Sequence, residues 1–570
     1  MSFKSNNAAQ ARQELRQAIW DCRERRLDVS AKWAAQQLAG MGEDSSGSQQ
    51  RPQIPQESSP SYSIQEEDAY QLAISHFDFR EYLSATNVLK PYIGNPSSSL
   101  KTYFLYYYSH YLSAEKQRAE KRAAPAGLAA WAAKDDYLLY IKAGIEALGT
   151  AADGFLLYLL GLVFTELKDE PQARAALCQA VTKYPCNWSA WRAIQAVCPD
   201  QASTASLKLP DHYASLFFSA SLWLELQESH EALEVMESLS ADFKDSDVLL
   251  RSVALAYNNL QMYDEAQEMF EMLLKRDPHR IDGMDVYSNI IYVKEDYAGL
   301  ATLARRCAET DPYRPETCCV IGNYYSLRGQ HEKAIVYFRR ALKLDPGYIP
   351  AWTLMGHEFV ELKNPSAAIE AYQKAVGLRP NDYRAWYGLG QTYELVNMPS
   401  YALHYYDKAA QLRRNDSRMW NAMAHCYASP ALDNIPAAIR CYERALENDK
   451  EGVAVQQLAT MHKKRGDKKE AAKYYRMNLV RIDEEGLNGQ DAVEALQYLA
   501  QYHKEEGELD IASTYFERLL DFQGAQEDAK SELRELQMEM TRAKANKATG
   551  RSPGAMSTPG SDMGITPPPR

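Results

Sequence analysis

The sequence has no run of about 18 apolar residues, the length a bilayer-crossing helix needs. Its N-terminus, MSFKSNNAAQARQELRQ, has neither an apolar stretch nor a small-residue cleavage site. A membrane partner is therefore not expected. A disulfide or zinc framework is missing too. The nine cysteines (Cys22, Cys178, Cys186, Cys198, Cys307, Cys318, Cys319, Cys426 and Cys441) form no CxxC pair, and adjacent Cys318 and Cys319 cannot both face one metal from a helix. Free, mostly buried thiols in a reducing compartment are expected, with no metal. Positive charge is also in deficit: 64 Lys and Arg stand against 76 Asp and Glu, a net −12. That argues against nucleic acid as a partner, which a basic face would announce. There is no GxxxxGK[ST] phosphate loop, no HExxH zinc helix and no GxSxG elbow, and the eleven histidines are dispersed. No catalytic residue, cofactor or enzymatic activity is expected.

What is present is apolar surface, 46% of residues against 25% charged, enough for a long core. It recurs with a fixed period. Counting Pro315 as position 1, Gly322 is position 8, Tyr325 position 11, Ala334 position 20, Phe338 position 24, Ala341 position 27 and Pro346 position 32. These are the signature slots of a tetratricopeptide (TPR) repeat of 34 residues. One period on they hold Trp352 (position 4), Gly356, Phe359, Ala368, Tyr372, Ala375 and Pro380. The next unit has Trp386, Gly390, Tyr393, Ala402, Tyr406 and Ala409, but Arg414 at position 32. After Trp420 and Tyr427 a two-residue insertion near Ser429-Pro430 delays the second helix. The register runs back through units at Ile281, Asp247, Tyr213 and Gly154, and forward through Gly452 and Leu499. Each unit is two antiparallel helices, small residues marking the crossing and large ones filling the space around it. One unit cannot bury its apolar face alone, so units stack. The fold expected is all-α, a TPR superhelical solenoid with a disordered linker and a disordered C-terminal tail.

The expected organisation is amphipathic helices over 1–40, a Ser/Gln/Pro-rich disordered linker over 41–63, an irregular TPR region over 64–212, a regular array over 213–535, and a polar helix end with a disordered tail over 536–570. A charged insert, AEKQRAEKRAAPAG, falls at 114–127. The tail carries Ser552, Thr558 and Thr566, each before a proline and so a minimal site for a proline-directed kinase. A phosphate there would add charge for a partner to read.

The signature leaves helix A positions 2, 5, 9 and 12 free to line an inner face on which an extended peptide can lie. In the regular block they include Glu316, Cys319, Asn323 and Ser326, then Pro350, Thr353, His357 and Val360, then Arg384, Tyr387, Gln391 and Glu394. Asparagine offers a peptide backbone both donor and acceptor. A carboxylate such as Glu358, beside His357, can take a guanidinium bidentately.

The stretches ETCCVIGNYYSLRGQHEKAIVYFRRALKLDP, AWTLMGHEFVELKN, DYRAWYGLGQTYEL and RRNDSRMW resemble the subunit-eight family of the anaphase-promoting complex, strongly over about 247–420 and more weakly nearer the N-terminus. The resemblance implies a non-catalytic scaffold subunit of a multi-subunit E3 ubiquitin ligase. It implies a homodimer formed through the N-terminal repeats, stacking on other TPR and scaffold subunits, and a C-terminal groove for the arginine-containing C-box of the coactivator. On that footing Asn323 and Glu358 lead the peptide-binding residues, Glu358 pairing the arginine, with His357, Tyr324 and Tyr387 behind them. The nucleus and cytoplasm are the expected compartments. Two rival readings are another TPR subunit of the same complex and a co-chaperone adaptor. The adaptor's carboxylate clamp needs Lys at position 5 with Asn at 9, and position 5 here is Cys319.

Overall fold

A computed structural model describes residues 8–42, 64–95, 98–123, 136–198, 207, 209–449, 452–486, 489–522 and 524–548. The expected linker beyond Gly42, the end of the charged insert and the whole Ser552, Thr558 and Thr566 tail lie outside the described residues. Among those described there are 28 α-helices and no strand. They fall in two compact units, Met1–Ala351 and Trp352–Arg570. The unit boundary is not the 212/213 division of the sequence, where Trp191 packs against Phe218 with ring centroids 5.1 Å apart. The charged stretch from 114 is not wholly an insert: helix Leu100–Ala123 runs through most of it, as its Glu, Lys, Arg and Ala favour.

Every unit closes the same way. Position 15 adopts a left-handed backbone at Lys168, Gln227, Gln261, Glu295 and Gly329 in the first compact unit, and at Lys363, Asn397, Gly466 and Gly507 in the second. One residue later the amide reaches back to the carbonyl of position 11: Gln330 N to Tyr325 O, 2.9 Å, and Asn364 N to Phe359 O, 2.9 Å. This helix-terminating bond satisfies an otherwise orphaned carbonyl. The insertion after Tyr427 leaves it intact, since Asn434 N still meets Tyr427 O at 2.9 Å with Asp433 left-handed. The N-terminal helices Ala8–Glu24 and Asp28–Gly40 are joined alike, with Arg26 left-handed and Leu27 N on Cys22 O at 2.9 Å. Only glycine takes this conformation without steric cost. Gly329→Ala is therefore expected to cost about 1–2 kcal/mol. Gly377→Ala, inside a helix with open space around the added methyl, should gain about 1 kcal/mol. Urea denaturation of the two variants measures both, and equal shifts would refute the turn's role.

The core follows the repeat. Position 20 alanines Ala173, Ala232, Ala266, Ala334, Ala368, Ala402, Ala438, Ala471 and Ala512 are wholly buried, and the position 24 side chains Phe270, Phe338, Tyr372 and Tyr475 are too. Position 4 tryptophan reads the end of the preceding helix. The indole N–H of Trp191 donates to Pro185 O at 2.7 Å, that of Trp386 to Pro380 O at 2.7 Å, and that of Trp420 to Arg414 O at 2.9 Å. The last pair explains why Arg is tolerated at position 32: the carbonyl, not the proline ring, is what the next unit needs. The polar helix whose end was expected past 536 spans Gln526–Ala548.

Candidate functional site

In the first compact unit, helix Pro315–Leu327 carries Asn323 and Tyr324. Asn323 is buried, 2% exposed. Its amide donates to Ser288 Oγ at 2.9 Å and Asn289 Oδ1 at 2.7 Å. Both N–H bonds are thus committed to helix Met284–Val293. Three residues on, Ser326 Oγ meets Tyr292 Oη at 3.3 Å. Positions 9 and 12 of one unit are therefore tied to positions 9 and 12 of the unit before it. Cys319, expected on the inner face, is also wholly buried. Tyr324 is half-buried, with Arg328 donating to its hydroxyl at 2.8 Å and lying 5.6 Å over the ring.

Helix Ile349–Glu361 carries His357 and Glu358, both residues of the second compact unit. Glu358 is buried, 5% exposed. Burial, and then the neighbouring Glu358 carboxylate, push the Tyr372 phenol well above its ordinary range, so it stays protonated. The Tyr372 hydroxyl bonds His357 Nδ1 at 2.8 Å. Burial foremost, and the Arg384 guanidinium second, depress the His357 pKa from 6.5 to about 4. His357 is therefore a neutral hydrogen-bonding group at physiological pH. Because the unfolded chain binds a proton that the folded ring refuses, this residue's contribution to stability is intact above about 6.5. It should be lost as pH falls toward about 4. His357→Gln is expected to flatten that part of the stability profile, and an unchanged slope in urea titrations at pH 5 and 7 would contradict the assignment.

Tyr387 is half-buried against Tyr406, ring centroids 5.3 Å apart. Tyr406 in turn donates to Glu394 Oε2 at 2.8 Å, and the other oxygen of Glu394 pairs with His425 Nδ1 at 2.6 Å. Further along the same unit the Tyr383 hydroxyl accepts from Arg413 at 2.7 Å and Arg384 at 3.4 Å. Burial raises that phenol's pKa, but Arg384 and Arg413 outweigh burial and bring it below its ordinary value. The second unit thus sets a buried carboxylate, a neutral imidazole, packed tyrosines and guanidiniums on successive helices. Sequence reasoning missed Ser288, Asn289 and Tyr292. The repeated polar residues at positions 9 and 12 were the available signal.

One cluster outside these helices has metal-ligand residue types: Glu14, Cys186 and His212, with ligand atoms within 4.8 Å of one another. Its protons do not suit an ion. The Ala214 amide donates to His212 Nδ1 at 3.1 Å, so neutral His212 carries its proton on Nε2, facing Glu14 Oε2 at 3.2 Å. A ligating histidine donates through its other nitrogen instead. Burial, moreover, pushes the Cys186 thiol up to about 11.

The family profile described as "Anaphase promoting complex subunit 8 / Cdc23" matches residues 10–254, and TPR profiles match 247–279, 315–348 and 356–396. Anaphase-promoting complex subunit 8 of Arabidopsis thaliana is 42% identical over 569 residues, covering 93% of this chain and 97% of the relative. The chain belongs to the anaphase-promoting complex subunit 8 family. The Dictyostelium discoideum subunit 8 agrees, at 38% identity over 93% of this chain and 98% of its own. The human cell division cycle protein 23 homologue matches at 39% over 50% of this chain and 47% of its own. Among solved structures, the crystal structure of the APC/C hetero-tetramer Cut9–Hcn1 aligns with a TM-score of 0.51 at 16% identity, over 84% of this chain and 97% of that one, which is a likeness of fold. For this subunit 8 family member, then, Asn323, Tyr324, His357, Glu358 and Tyr387 all sit on helix A of their repeats.

Proposed function

We propose that this chain is a non-catalytic scaffold subunit of the anaphase-promoting complex, the E3 ubiquitin ligase, with the transfer chemistry left to other subunits. It homodimerises through its N-terminal repeats, stacks with other TPR subunits, and receives the arginine-containing C-box of the coactivator on the inner face of its second unit. Family membership across nearly the full length of the Arabidopsis relative supports the assembly role. The observation that carries the peptide role is Glu358, a buried acidic group on helix Ile349–Glu361 whose charge is felt by the Tyr372 phenol. A carboxylate at such a position can pair with a guanidinium. Light scattering of the purified chain, alone and with a C-box peptide, tests the reading. The expected result is a dimer mass and saturable peptide binding that an Arg→Ala peptide lacks. A monomer at tens of micromolar, or equal binding of both peptides, would overturn it.

A further inference from the structure

The first compact unit closes its own inner face. Helix Asp28–Gly40 lies against helices Trp188–Val197 and Asp247–Asn259, and helix Ala8–Glu24 reaches the capping residues Tyr184 and His212. Trp33 stacks on Trp188 with centroids 4.6 Å apart and planes 1° from parallel, and meets Phe217 edge-on at 5.6 Å. Ser30 Oγ donates to Asn187 Oδ1 at 2.9 Å and accepts from the Ser189 amide at 2.9 Å. Lys32 pairs with Asp282 at 3.2 Å, and Asp282 also holds Arg314 at 2.9 Å. Arg25 reaches Asp153 at 3.5 Å and lies 4.3 Å over the Phe155 ring.

Apolar side chains such as Leu15, Ala18, Ala31 and Ala34 are buried in this seam, and hydroxyls, amides and ion pairs accompany two stacked indoles. Three buried donors on the seam, Trp33 Nε1, Gln37 Nε2 and Asn187 Nδ2, find no protein acceptor. Charge is complementary as well. Residues 8–42 hold six basic groups (Arg12, Arg16, Arg23, Arg25, Arg26, Lys32) and four acidic ones (Glu14, Asp21, Glu24, Asp28), a surplus of two positive charges on a chain of net −12. Apolar burial joined to complementary charge is what a receptor offers its ligand.

We propose that the inner face of the first unit is a binding groove for a basic, tryptophan-bearing helical hairpin, and that residues 8–42 of this same chain are its tethered occupant. Peptide ligands are thereby excluded from the covered helices, between Phe155 and Asp282, and directed to the repeats beyond them.

The test inserts a protease site within residues 43–63 of the full chain and cleaves it. The fragment carrying 8–42 is expected to remain bound through gel filtration at micromolar concentration. A fluorescein-labelled synthetic peptide of residues 8–42 should then replace it without loss of circular-dichroism helicity in the remainder. The same peptide with Arg25→Glu and Lys32→Glu should bind at least tenfold more weakly, and wild-type peptide binding should weaken with added salt. Collapse of the remainder's helicity on cleavage, failure to exchange against excess peptide, or equal binding of the charge-reversed peptide would each overturn the proposal.

Discussion

Glu358→Lys is expected to abolish binding of an arginine-containing coactivator peptide while leaving the dimer mass and helicity unchanged. The carboxylate is buried, so under the proposed function a guanidinium paired with it sits where water competes poorly. Replacing it by an ammonium removes one partner and adds a like charge. Truncating a buried hydrogen-bonded charge pair costs about 2–5 kcal/mol, enough to move a micromolar ligand out of reach. Glu358→Gln separates charge from shape: it keeps the hydrogen-bonding oxygen and loses the ion, and should bind at an intermediate level. Fluorescence anisotropy with a labelled C-box peptide decides the matter. Unchanged affinity in Glu358→Lys would remove this residue from the site.

The second large effect is on stability. Tyr372 is wholly buried, and its ring lies against two glycines. A β-carbon on either Gly356 or Gly388 would come within 2.5 Å of it. The two glycines belong to consecutive helices A, so one ring fills the space between neighbouring repeats. Tyr372→Ala should cost about 3–5 kcal/mol, the usual range for deleting a buried aromatic ring. Tyr372→Phe loses only the bond to His357 Nδ1 and should cost about 1 kcal/mol. Because repeats are coupled mainly to nearest neighbours, the loss should show first as faster amide exchange in helices Ile349–Glu361, Pro365–Leu378 and Tyr383–Leu395. Exchange that quickened evenly along the chain, or an alanine variant within 1 kcal/mol of wild type, would contradict this account.

The repeat was legible because its packing is local and periodic. Ala334, Ala368 and Ala402 recur every 34 residues since each faces the same helix crossing. The left-handed turn residue was not, because its occupants Lys168, Gln227, Gln261, Glu295 and Asn397 share no side-chain chemistry. Only the backbone repeats there. The inner-face reading placed its residues on helices A but could not show that Asn323 donates to Ser288 and Asn289. That bond depends on the rise between stacked repeats, which no periodicity encodes.

The amino-acid sequence by itself determined the helical pairs, their spacing and the family, since these follow from residue size at fixed intervals and from the identity of many positions at once. Tertiary structure alone decided which inner-face groups remain available. Glu358 and His357 are shaped by Tyr372 from another helix, and the face around Trp188 and Asp282 is covered by helices from the start of the chain. Contacts between residues as far apart as Lys32 and Asp282 depend on how stacked helices are placed in space, and a local pattern of residue sizes carries no record of that placement.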